Sequence, residues 1–163
     1  LPSASGVVSW LPVDAVSRAI LDIAFAKEQP PIALNLVHPR PVQWNGVMLP
    51  VGEIVARKLG THPLPVVSFQ EWFSLVEKRA TSASDRDLEN MPAIKLLETF
   101  RAIAEADLVI SRQGDTDVET GGFAKFSTAK AQGVSLSMKE LQPIGARDAE
   151  LWVNYWSSIG LFD

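Results

Sequence analysis

Hydrophobic positions change period several times along the chain. Val7 and Val8, followed by Trp10-Leu11, read as a short buried strand. Val16, Ala19, Ile20 and Ile23 then recur at i, i+3, i+4 and i+7. That spacing predicts a helix to about Lys27, with Asp14 at its N-cap accepting free N–H groups of the first turn. The Pro30-Pro31 pair stops it. Ala33 to Val37 is a run suited to an inner strand, and His38-Pro39-Arg40-Pro41 ends it, because proline lacks the N–H that a ladder requires. Strand, helix and strand at this spacing predict a βαβ-like start and an α/β sheet covered on both faces.

Helical spacing dominates afterwards. Asn45 is placed to cap a helix reaching Leu59, with Val47, Val51, Ile54 and Val55 inward and Gly60 just past its end. Pro50 suits only a first turn, since deeper in it costs about 3 kcal/mol. Pro65 to Phe69 predicts a second short strand running into Ser68 and Glu71, a capping box ahead of a helix that continues through Trp72, Leu75, Val76 and Arg79. Thr81 to Asn90 is polar and turn-like, a mobile surface loop. Pro92 fits the first position of a long helix ending near Asp107, with Ile94, Leu97, Phe100, Ile103 and Ala104 inside. Residues 111–122 read as another polar loop and Ser137 with Glu140 as a second capping box. Arg147 to Ile159 predicts a final helix with Leu151, Trp152, Tyr155 and Ile159 on one face. Trp72, Trp152, Tyr155 and Trp156 give the helical part an expected aromatic core of its own.

Composition narrows the class. The chain has 163 residues, 47% hydrophobic and 21% charged, enough for one domain with a real core and unlike disordered, collagenous or disulfide-stapled chains. No apolar run approaches the roughly 20 residues of a membrane helix; Ala19 to Ala26 is broken by Asp22. Fifteen Lys and Arg against nineteen Asp and Glu give a net charge of −4, which argues against nucleic acid as a partner. The acidity belongs to the second part: residues 1–60 carry five basic and four acidic side chains, 61–163 ten and fifteen. Without cysteine there is no disulfide, thiolate metal site or cysteine nucleophile. A first residue Leu1 is expected of a chain cut from something longer.

Chemical motifs are incomplete. Gly121-Gly122 follows a polar loop, whereas a dinucleotide fingerprint follows a strand. Asp115, Asp117 and Glu119 begin like a calcium loop, but Thr120 stands at the turn glycine and Phe126 at the closing glutamate. His38 and His62 lack metal-ligand spacing, and no serine lies in a GxSxG elbow. Tyr155 has Ile159, where a reductase of the short-chain type has a lysine, and reads as a packing aromatic. No catalytic, cofactor-binding or metal-ligating residue is therefore assigned. Trp10, His38, Arg40 and Trp44 sit at or just beyond predicted strand ends, where open α/β sheets place ligands, and are the candidate substrate-binding residues.

Six stretches together resemble a known family. Gly6-Val-Val-Ser-Trp-Leu-Pro-Val-Asp14, running into Val16-Ser-Arg-Ala-Ile-Leu-Asp22, is similar to a segment of extended short-chain dehydrogenases. More narrowly it resembles the thioester reductase domains that end fungal adenylate-forming reductases and some nonribosomal peptide synthetases. Ala33-Leu-Asn-Leu-Val-His-Pro39 with Val42-Gln-Trp-Asn45, Leu64-Pro-Val-Val-Ser-Phe-Gln-Glu-Trp-Phe73, Phe126-Ser-Thr-Ala-Lys130, Leu151-Trp-Val-Asn-Tyr-Trp156 and Gly160-Leu-Phe162 follow in the family's order. The resemblance implies the carboxyl-terminal portion of such a domain. Residues 1–60 would be the last Rossmann-type elements, with two or three short strands. Residues 61–163 would be a mainly helical part that binds substrate and docks a carrier, all within one domain.

It further implies that the cytoplasmic parent enzyme reduces an acyl thioester, held on the phosphopantetheine arm of a carrier domain, to aldehyde or alcohol with NADPH. The nucleotide fingerprint and the Ser/Thr-Tyr-Lys set lie upstream of the matched segment, so this chain alone is expected to be inactive and to bind no cofactor. Segments 81–91 and 111–122 would form a lid or a carrier contact. The alternative is a free-standing protein-interaction module without catalytic activity. The two readings differ at the surface, since a severed sheet exposes apolar edges and tends to self-associate.

Overall fold

The computed structural model describes residues 1–84, 91–115 and 117–162. Among them, four two-residue strands form two separate pairs: β1 (Pro2–Ser3) lies parallel to β4 (Val67–Ser68), and β2 (Val7–Val8) antiparallel to β3 (Val42–Gln43). The helices are α1 (Val13–Ala24), α2 (Trp44–Leu59), α3 (Phe69–Ala80), α4 (Pro92–Lys95), α5 (Leu97–Gln113), α6 (Ala129–Val134), α7 (Leu136–Glu140) and α8 (Ala146–Ser158). The fold is mixed α/β and mainly helical, a small sheet remnant with helices around it.

An extended ribbon, residues 1–9, organises these pieces. The Leu1 carbonyl accepts from the Val67 N–H, the Trp44 indole donates to the Pro2 carbonyl at 2.9 Å, and the Trp44 N–H donates to Gly6 O. On its other side the Ser5 N–H donates to the buried Asp107 carboxylate of α5, and Val7 exchanges bonds with Val118 O and Thr120 N, both at 2.8 Å. The segment expected as a polar loop over 111–122 is therefore partly structured among its described residues. Residues 111–113 extend α5, and Val118 to Thr120 is held edge-on to β2, with an isolated parallel bridge from Val7 to Glu119.

Several sequence expectations hold. Gly60 ends α2 in the left-handed conformation, the Ser68 hydroxyl accepts the Glu71 N–H at 3.1 Å, and Pro92 opens a helix. Others are corrected. Ala33 to Val37 forms no strand: prolines flank it on both sides, and Ile32, Ala33 and Asn35 are exposed, so neither a ladder nor a buried face is available. Asp14 is no cap, because Pro12 holds that position and the Asp14 carboxylate pairs with Arg18 at 2.7 Å. The second cap is Ser135, whose hydroxyl accepts the Met138 N–H, while Ser137 donates its N–H to Asp22. The helix from Pro92 breaks at Leu96 and resumes through α5. Residues 85–90 of the expected loop over 81–90 lie outside the described residues.

The inward face of α8 is displaced by one or two positions from the expected one. Ala149 and Val153 are fully buried against Val51 and Ile54 of α2, with Trp152 and Trp156 beside them; Leu151, Tyr155 and Ile159 are each about 60% exposed. Nor do the aromatics form a core confined to the helical part. They make one run of edge-to-face and tilted contacts, Trp152–Trp10–Trp44–Phe69, continuing to Trp72 and Phe100 with centroids 4.9–6.5 Å apart.

Gly6 allows the ribbon and residues 118–120 to meet. Its φ is +89°, and a Cβ there would fall against the Val118 carbonyl. Gly6→Ala should cost about 2 kcal/mol or more in urea unfolding. Gly133→Ala in α6, where a Cβ meets nothing within 4 Å, should instead stabilise by about 0.5–1 kcal/mol.

Candidate functional site

Trp10 follows β2 and is 43% exposed, so its indole stands where the ribbon leaves the sheet. Three apolar cavities meet around it. One, of about 400 Å³, is walled by Trp10, Trp44, Trp72, Phe100 and Phe123. A second, of about 300 Å³, shares Trp10 and Phe123 and adds Val37 and Phe126. A third, of about 570 Å³, opens on the α8 side between Trp10, Met48, Trp152 and Tyr155. Trp10 and Trp44 pack edge to face at 5.9 Å, with Trp44 held by its bond to Pro2 O. Two of the four sequence candidates therefore share one wall.

Glu119, which sequence reasoning left within a polar loop, lines the first two cavities. Its Oε1 accepts the Ser9 N–H at 2.9 Å and its Oε2 the Ser9 hydroxyl at 2.7 Å. The only hint in the sequence was the alternation Asp115, Asp117, Glu119. It did not reveal the pairing with Ser9, 110 residues away.

His38 and Arg40 lie elsewhere. The His38 N–H donates to Ser9 O, and its ring is 2% exposed, with Nδ1 accepting the Arg40 N–H at 3.0 Å and Nε2 meeting Gln142 O at 3.1 Å. The Arg40 guanidinium donates to the carbonyls of Lys139 and Leu141, the last turn of α7, where a cation also suits the helix dipole. These two residues clamp α7 to the Pro-rich turn and face none of the three cavities around Trp10.

Sequence comparison places this arrangement. Two adenylate-forming reductases of Serpula lacrymans are 55% and 50% identical to the chain over 163 residues, 99% of its length. The chain is a homologue of one segment of the adenylate-forming reductases. It spans about 15% of the length of those two relatives. A non-canonical non-ribosomal peptide synthetase of Acremonium egyptiacum is 28% identical over 160 residues, 98% of this chain and 13% of the synthetase. No family model and no solved structure matches the chain.

The glycine pair Gly121-Gly122 has a packing role. A Cβ on Gly121 would lie 3.0 Å from the Phe123 ring and 3.3 Å from Ile103, and one on Gly122 3.0 Å from Ala106, so both glycines turn tightly against α5. Among the described residues no cluster of His, Asp and Glu is arranged to hold a metal ion, and no helix is long and apolar enough to cross a membrane.

Burial, aided by the Arg40 charge, holds the His38 pKa below its ordinary 6.5. The unfolded chain thus takes up the proton first as pH falls, and the contribution of His38 to stability, complete above about 6.5, is lost below it. The Asp22 pKa is lowered as well. Bonds from Ser137 and Ser135 hold it below 3.8, so its contribution persists until the solution is far more acidic. Urea midpoints should fall between pH 7 and 5, and His38→Gln should flatten that slope; an unchanged slope would show that His38 does not titrate in this window.

Proposed function

We propose that this chain is the substrate-binding part of an NADPH-dependent thioester reductase, a cytoplasmic enzyme that releases a carrier-bound acyl group as aldehyde or alcohol. The observation that carries the reading is the 55% identity, along nearly the whole chain, to a segment of an adenylate-forming reductase. The apolar cavities beside Trp10 and Trp44 supply what such a role needs locally: a water-poor wall for the acyl group, open at the α8 side to an approaching phosphopantetheine arm. In this reading NADPH, which supplies the hydride, is held by another part of the parent. This chain alone is inactive, and its first 60 residues continue the nucleotide-binding sheet of that part. Trp10 and Trp44 touch the acyl group, while His38 and Arg40 act at a distance by holding α7.

The outer surface favours this reading over a free-standing module. Val13 and Phe25 at the two ends of α1 are about 80% exposed, Ile20 and Leu21 between them about half, and Ile32 fully. An apolar stripe of this kind is what a helix shows when further protein covers it, and it favours self-association of the isolated chain.

Titration of NADPH into the 163-residue chain, followed by nicotinamide fluorescence, should show no saturable binding up to millimolar cofactor; saturable micromolar binding would falsify the reading. In the longer reductase, Trp10→Ala should lower kcat/KM for the thioester about tenfold, equivalent to about 1.4 kcal/mol, and leave the KM for NADPH unchanged. Thioester kinetics unaffected by that substitution would remove Trp10 from the pocket.

A further inference from the structure

We propose that Glu119 makes the groove beside Trp10 a binding site for an ammonium group, so that the acyl chain it accepts is an amino-substituted one. The inference rests on the acyl-pocket reading and gives it a substrate class. Among the described residues Glu119 is the one charged side chain lining either of the two cavities that share Trp10 and Phe123. Its two hydrogen bonds come from Ser9, through a backbone N–H and a hydroxyl. Both donors are neutral: they orient the carboxylate without cancelling its charge, and each oxygen keeps a second acceptor direction. The ion pairs of the described residues engage other carboxylates, namely Asp14, Glu77, Glu98, Asp117 and Glu150.

A half-buried carboxylate with acceptor directions left open beside apolar walls favours a cationic ligand over a neutral or anionic one. The walls themselves suit the same ligand. The rings of Trp10 and Phe123, which line both cavities with Glu119, are 43% and 63% exposed, and aromatic faces attract cations. A plain structural latch would not require the charge. The bonds Val7 N–H to Val118 O, Thr120 N–H to Val7 O and Thr120 hydroxyl to Ser5 O already fasten residues 118–120 to the ribbon.

Three probes that share a phenylethyl group decide the matter: 2-phenylethylammonium, 2-phenylethanol and 3-phenylpropionate, titrated into the 163-residue chain and followed by tryptophan fluorescence. The ammonium should bind at least tenfold more tightly than the alcohol, and the anion more weakly than either. Glu119→Gln, which keeps an oxygen for the Ser9 N–H, should bring the ammonium-to-alcohol ratio to about one. Ser9→Ala, which keeps the charge, should retain the preference. Should Glu119→Gln not fold, the wild-type ratio and its decline with added salt serve instead, because only a charge-paired ligand is screened. A ratio near one in the wild type, no saturable binding of the ammonium, or a preference that survives Glu119→Gln overturns the proposal. Saturable NADPH binding to the chain would remove the reductase reading and leave this selectivity measurable. Absence of selectivity with no NADPH binding would remove this inference alone.

Discussion

Residues 1–9 run extended through the middle of the molecule, and an extended backbone has no internal partners for its N–H and C=O groups. Ser5, Gly6, Val7 and Ser9 obtain theirs from Asp107, Trp44, Val118 and Glu119, and the Thr120 N–H returns to Val7. Those partners come from the start of α2, the middle of α5 and the segment after it. Satisfying this one ribbon therefore fixes where three distant parts of the chain lie. Asp107 shows how strongly: a carboxylate in the middle of a helix is buried to receive a single backbone N–H.

The site inherits its geometry from that arrangement. Trp44 is oriented by the Pro2 carbonyl, Trp10 projects where the ribbon ends, and Glu119 is drawn in by Ser9. Aromatic side chains from α2, α3 and α5 then close one side of the groove. Two of the wall residues, Trp44 and Glu119, are thus fixed by hydrogen bonds to the ribbon.

A second group of contacts holds the far end. Asp22 of α1 receives the Ser135 hydroxyl and the Ser137 N–H, so it caps α7 from outside, while Arg40 and His38 bind the opposite end of that helix. A helix of five residues is too short to persist by its own hydrogen bonds. Its order comes from these polar contacts at both ends and from the burial of Met138 against Ala19 and Ala131.

Local chemistry was legible in the sequence. The glycine stop of α2, the Ser68 cap, the proline at the start of α4 and the apolar pair Val7-Val8 follow from backbone rules acting within a few residues; the start of α2 does not, since Gln43 rather than Asn45 precedes it and Pro50 lies inside the helix. Tertiary structure decided what depends on distant partners. Ala33 to Val37 has strand-forming residues but no neighbouring strand to pair with, and α8 offers apolar side chains on more than one face, of which α2 covers only the one bearing Ala149 and Val153. Glu119 looked like a solvated loop acid because its partner, Ser9, lies 110 residues earlier. Helix and turn propensities are set by neighbours along the chain; the pairing of a carboxylate with a distant N–H, and the side of a helix that meets the core, are set by neighbours in space.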